Sequence, residues 1–229
     1  MRVKYLHAAL FFALLVFGFL SVNLLIAKSF SFNGLSRADN IDKSLESIYA
    51  TKLRPNAEEA PNGEPHDGRI TITYTVSSRG NPKSDVGLFG AFAAETFNDA
   101  RGWKRAGVDF REIKSDGRFN LIISEAKYLP EFSPICSVNY SCRVGKNIII
   151  NDDRWTDATD LWNASGGSLR DYRHMVINHE VGHFLGHMDN DPICDGIGHK
   201  APLMQQQSMN LRGCLFNPWP LDNELWAKI

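Results

Sequence analysis

The residues best equipped for chemistry lie in one run, His179-Glu180-Val181-Gly182-His183-Phe184-Leu185-Gly186-His187-Met188-Asp189. It has the form H-E-x-x-H-x-x-G-x-x-D. Side chains four apart share a helix face, so His179 and His183 can offer imidazole nitrogens to a single metal ion. Glu180 is rotated off that axis, where a carboxylate can take a proton from metal-bound water. Gly186 can end the helix with a positive φ and turn the chain back, bringing Asp189 to the third coordination position. His187 is the rival third ligand: a helix continued past Gly186 would put it one turn beyond His183.

Three protein ligands and one open position are what hydrolytic zinc requires, because the fourth site must hold water. Two neutral imidazoles and one carboxylate leave the ion net positive. It can then draw the pKa of bound water from ~15.7 towards ~7 and polarise a carbonyl. Downstream, Pro202-Leu203-Met204-Gln205 forms a methionine-containing turn. A buried methionine alone would mean only core. Asp191 and Asp195 would suit calcium, but a solvated acidic loop explains them as well, and calcium is not indicated.

These residues resemble the zinc-binding signature of the metzincin metallopeptidases, and most closely the small secreted bacterial neutral proteases of the snapalysin type, which also use Asp as third ligand. That group has a Cys after the motif, a Met-turn, a second Cys and an Asn-Pro-aromatic-Pro run. Here these read Cys194, Leu203-Met204, Cys214 and Asn217-Pro218-Trp219-Pro220. The stretches Ser168-Leu169-Arg170-Asp171-Tyr172-Arg173-His174 and Met204-Gln205-Gln206-Gln207 also resemble an uncharacterised actinobacterial family of membrane-anchored, metzincin-like proteins. The resemblance is strong from Cys136 to Glu224. It implies an α+β, metzincin-like fold: a twisted mixed β-sheet, an active-site helix carrying the motif, and a small C-terminal subdomain with the Met-turn and a terminal helix. It also implies one catalytic zinc on His179, His183 and Asp189, Glu180 as general base, and Met204 as an apolar floor beneath the metal. Two departures stand out. The actinobacterial family tends to carry His where this chain has Asp189. Many metzincins have a Tyr two residues after the turn methionine, where this chain has Gln206, so a phenol that would stabilise the oxyanion is missing there.

The elements that must position these groups fill residues 69–229, one domain's worth of chain. Ile70, Ile72, Tyr74 and Val76 alternate with threonines, which predicts a half-buried strand. Ser84 and Asp85 can cap a helix with Val86, Phe89, Ala93, Phe97 and Ala100 at helical spacing. Strands follow at 108–113, 120–124 and 147–151. Residues 137–143 read as an edge strand lining the cleft, against which an extended peptide pairs. Ser168 with Asp171 forms a capping box that opens the metal helix. Tyr172 and Val176 share the ligand stripe, while Ile177, Val181 and Phe184 face the core. Gln205, Gln206 and Gln207 are either donors to substrate or a polar loop. His174 and His199 read as surface residues, and Trp155, Trp162 and Trp219 as core.

The N-terminus sets the compartment. Arg2 and Lys4 precede an apolar run from Ala8 to Ala27, long enough to span a bilayer as a signal anchor with the domain outside. A cleaved signal peptide, giving a secreted protein, is the alternative; Leu25 two positions before Ala27 makes a poor cleavage site. Residues 1–28 are thus anchor or signal, and 29–68 a polar linker or stalk, with a propeptide as the competing idea. The four cysteines show no CxxC spacing and suit export. Sequence allows three pairings; nearness favours Cys136 with Cys142 and Cys194 with Cys214, as staples beside the metal helix.

Net charge is −1, from 25 basic and 26 acidic residues of mixed order, which argues against nucleic acid as a partner. The expected partners are polypeptide substrate and, through the N-terminus, the membrane. Oligomeric state is not legible. The expected function is zinc-dependent peptide hydrolysis outside the cytoplasm. The competing expectation is a metal-stabilised binding or scaffold module at the cell surface without hydrolytic activity.

Overall fold

The alternating segment at the start of the domain becomes β1 (Ile70–Arg79), with Ile72 and Tyr74 buried and the threonines between them less so. The structure, a computed structural model, describes residues 69–188 and 194–229, all within the unit Tyr49–Ile229. The anchor and linker expectations (1–28 and 29–68), Asp189 and Asp191 lie outside the described residues. Among those described, no helix is long and apolar enough to cross a membrane.

The fold is α+β, built on a mixed five-stranded sheet. β1 pairs in parallel with β2 (Val108–Glu112) on one side and β3 (Phe119–Ser124) on the other. β5 (Asn147–Asn151) continues the parallel run beside β3, and β4 (Cys142–Val144) closes that edge antiparallel to β5. The order is therefore β2-β1-β3-β5-β4. Ile148, Ile149 and Ile150 are all fully buried, because a parallel strand covered on both faces tolerates an unbroken apolar run. Ile148 and Ile150 join the main core with the helices, while Ile149 packs with Ile122, Leu129 and Cys136 on the opposite face.

Helix α1 (Val86–Asn98) starts where the Asp85 side chain accepts from the Leu88 N–H. It sends Phe89, Ala93 and Phe97 into the core. Three short helices follow later: α2 (Leu129–Phe132), α3 (Asp152–Asp157) and α4 (Asp160–Ala164). Helix α5 (Leu169–Phe184) begins at Ser168, whose hydroxyl accepts from the Asp171 N–H at 3.0 Å. It lays Ile177 and Val181 against the sheet. Trp155, Trp162 and Trp219 are buried, as expected.

Two disulfides, Cys136–Cys142 and Cys194–Cys214, use all four cysteines in the pairing that nearness favours. Such bonds suit a domain folded in an oxidising, extracytoplasmic compartment. The second closes a loop across a separation of 20 residues, a constraint of about 3 kcal/mol.

Three expectations need correction. Residues 137–141 are not strand: only Cys142–Val144 is. The disulfide brings the Cα atoms of Cys136 and Cys142 to 5.7 Å, whereas an extended run of that length would span roughly 20 Å. The terminal helix is absent; the end of the chain has a single 3₁₀ turn, Asp222–Glu224. Its backbone is used elsewhere, as the Lys228 N–H donates to the Leu185 carbonyl at 2.7 Å and the Trp226 carbonyl accepts from His187. His174 is buried (3 % exposed), not a surface residue. Its Nδ1 meets the Thr96 hydroxyl at 2.8 Å, and its ring lies between those of Phe92 and Trp219.

Candidate metal centre

His179, Glu180 and His183 all lie on α5, and all three line a cavity of about 550 Å³ on its exposed side. The two imidazoles are adjacent, with ring centroids 4.8 Å apart and planes nearly perpendicular. Each is oriented by a backbone carbonyl. His179 Nδ1 lies 2.9 Å from the Leu203 oxygen, and His183 Nδ1 lies 3.0 Å from the His187 oxygen. A carbonyl only accepts, so each Nδ1 carries the proton and, in the neutral ring, each Nε2 carries a lone pair. This is the tautomer a metal-binding imidazole needs, with the second nitrogen's hydrogen bond setting ring orientation. Glu180 is buried, 6 % exposed, in the same cavity.

The chain reversal after the helix follows from Gly186, which has φ +103°. The His187 N–H donates to the Gly182 carbonyl at 3.0 Å and the Gly186 N–H to the His183 carbonyl at 3.2 Å, the paired bonds of a Schellman end. A Cβ at Gly186 would also stand 2.9 Å from the Lys228 Cβ. The reversal delivers the His187 carbonyl to His183, so the glycine that ends the helix also orients a candidate ligand. The His187 ring is engaged elsewhere. Its Nε2 donates to the Trp226 carbonyl at 3.0 Å, and the ring stacks 3.7 Å from that of Trp226 and 5.1 Å from that of Trp103. Burial pushes its pKa down. That packing disfavours His187 as third ligand. Asp189 lies outside the described residues; among them no group of three His, Cys, Asp or Glu side chains gathers.

Beneath the helix, the Pro202–Gln205 turn closes with the Gln205 N–H on the Pro202 carbonyl. Met204 is 1 % exposed and packs against Gly182, where an added Cβ would meet its Sδ at 2.4 Å. Glycine inside a helix costs about 1 kcal/mol relative to alanine; here it lets the methionine approach. The same turn supplies the Leu203 carbonyl that orients His179.

Sequence reasoning missed what fixes this turn. Glu224, 7 % exposed, accepts from the N–H groups of Leu203 (2.9 Å) and Leu221 (2.8 Å) through Oε2 and of Met204 (2.9 Å) through Oε1. The available signal was weak: Glu224 follows Asp222 and Asn223 in a short polar run between Trp219-Pro220-Leu221 and Leu225-Trp226. The side-chain amides of Gln205 and Gln207 are taken up by backbone carbonyls, although Gln207 also lines the cavity. Gln205 donates to the Asn210 and Leu211 carbonyls, Gln207 to those of Pro202 and Asn217, and the Asn217 amide in turn reaches Ala201 and Trp219. This buried amide network replaces regular secondary structure in the C-terminal segment. Gln206 alone of the three is exposed. Two phenols, Tyr140 and Tyr172, do line the cavity. Tyr172 bonds Ser208 at 3.1 Å, and burial pushes its pKa up to about 12, so it remains a donor.

Residues 61–214, about two thirds of the chain, match the profile of a family described as a protein of unknown function (DUF3152), and the chain belongs to that family. Comparison with curated proteins and with solved structures finds no match.

Proposed function

We propose that this protein is a metzincin-type zinc endopeptidase, exported and tethered to the membrane by residues 1–28. The observation that carries the reading is the shared orientation of His179 and His183. Both present Nε2 lone pairs from one helix face, each fixed through Nδ1 by a backbone carbonyl, in a cavity that also holds Glu180. The donor set fits zinc, with Asp189 as third ligand. Zinc held there supplies the Lewis acidity that lowers the pKa of water and polarises a carbonyl.

The chain's own groups do the rest. Glu180 takes the proton of the attacking water and returns it to the leaving amine, a role favoured by a buried carboxylate beside the reacting atoms. β4, at the edge of the sheet, offers an outer backbone edge along which an extended polypeptide pairs. His179 and His183 hold their orientations without adjusting during the reaction, because the turn at Met204 and the reversal at Gly186 are both bonded into the fold.

The test is the Glu180→Gln variant of the full chain, assayed for zinc content and for chelator-reversible cleavage of casein. The expected result is wild-type zinc content with cleavage lost. Cleavage at the wild-type rate would reject the role of Glu180. A wild-type protein that binds zinc but cleaves nothing would favour the non-hydrolytic binding module, a reading supported by Gln206 standing where many metzincins have tyrosine.

A further inference from the structure

Among the described residues, Arg143 is the one lysine or arginine that lines the cavity holding His179, Glu180 and His183. Side chains alternate along a strand, and in β4 Cys142 and Val144 both pack into the cluster of Ile122, Leu129 and Ile149. Arg143 between them therefore points to the opposite face, that of α5. Its guanidinium carbon stands 5.8 Å from the ring centre of Phe184, the residue following His183. Five arginines of the domain pair with carboxylates: Arg69 with Asp109, Arg79 with Glu131, Arg101 with Asp99, Arg105 with Asp222 and Arg170 with Glu95. Among the described residues Arg143 has none, and its Nε is buried without an acceptor.

We propose that Arg143 is the specificity residue of this cleft, selecting extended peptides that present a carboxylate beside the bond facing Glu180. The proposal rests on the peptidase reading only for what enters the cavity. A guanidinium offers a planar fork that matches a carboxylate with two hydrogen bonds, and a buried donor without an acceptor strengthens its preference for an anion. β4 lies at the sheet edge, so a peptide residue paired opposite Arg143 has its side chain on the same face, within reach of the guanidinium. The carboxylate is either an Asp or Glu side chain or a C-terminal carboxylate; the chemistry is shared.

The test uses the full chain in mild detergent, carrying Glu180→Gln so that no peptide is consumed, with zinc added. Fluorescence anisotropy measures binding of ten-residue peptides that differ only in Glu, Gln or Lys at successive positions, each as free acid and as C-terminal amide. The expected result is a preference of about tenfold for Glu over Gln at one register, or for acid over amide, lost in Arg143→Gln and turned towards Lys in Arg143→Glu. A preference that follows the Glu position assigns a side-chain carboxylate; one that follows the acid assigns the terminus. Equal affinities throughout, or no binding of any peptide, overturn the proposal, and both comparisons on the Arg143-containing protein need no further variant to fold. Casein cleavage by wild-type protein reports separately on the peptidase reading. A Glu preference without cleavage keeps Arg143 and removes hydrolysis; cleavage with no preference does the reverse.

Discussion

Replacing Glu224 with Gln tests whether the turn beneath the helix positions His179. The carboxylate accepts three backbone N–H groups, two on Oε2 and one on Oε1, all at 2.8–2.9 Å. An amide has one acceptor. The best orientation keeps its oxygen on Leu203 and Leu221 and turns its NH₂ group towards the Met204 N–H, donor against donor. One hydrogen bond to a charged group is lost, about 1.5–3 kcal/mol, and the two that remain are weaker because the acceptor is neutral. The expected loss of stability is about 3 kcal/mol, read by urea denaturation of the metal-free protein. The effect extends to the metal, because the Leu203 peptide that gives its N–H to Glu224 lies in the same turn as the carbonyl that orients His179. Loss of such a supporting contact lowers metal affinity about 10–100-fold. Competition with a chromophoric chelator measures that affinity. A variant as stable as wild type, with unchanged zinc affinity, would refute the reasoning that Glu224 fixes the turn and the turn fixes His179.

Two further predictions concern the same core. In Gly182→Ala the helix gains about 1 kcal/mol of propensity, but the new methyl meets Met204 Sδ at 2.4 Å and Trp103 Cζ2 at 3.1 Å. Overpacking costs about 1–3 kcal/mol, so the variant should be net destabilised in urea; a net gain would show that Met204 does not press on the helix. His174 has its pKa lowered to about 4, first by burial and then by Arg170, against 6.5 when unfolded. The unfolded chain therefore binds the extra proton first as pH falls. The stability this histidine supports is complete above pH 6.5 and lost progressively towards pH 4, about 3 kcal/mol in all. His174→Leu should flatten the pH dependence of unfolding in that window, and an unchanged slope would contradict the assignment.

Local features were legible where neighbours in sequence are neighbours in space. The i, i+4 histidines, the cap at Ser168, the break at Gly186 and the Cys136–Cys142 pairing are of this kind. Features whose partners come from far along the chain, or from a segment without periodicity, were not. His174 reads as a surface residue until Thr96, 78 positions earlier, closes over it. Gln205 and Gln207 read as either substrate donors or a polar loop, because most of their acceptors, at residues 210–217, belong to a segment with no periodicity to predict its path. Glu224 acts 20 residues back on the turn it holds. Sheet order was likewise hidden: β1 is flanked by both β2 and β3, which no strand's own pattern foretells. Arg143 was visible only as the end of an expected edge strand. Its importance depends on which face it takes, and that is fixed by the burial of Cys142 and Val144.

The most direct test of the account is zinc stoichiometry by equilibrium dialysis on the full, disulfide-bonded chain, compared with His179→Ala, His183→Ala and Asp189→Ala. The account predicts one zinc per wild-type chain, no stoichiometric binding in either histidine variant and sharply weakened binding without Asp189. No zinc in the wild-type protein, or full binding after loss of either histidine, would contradict it.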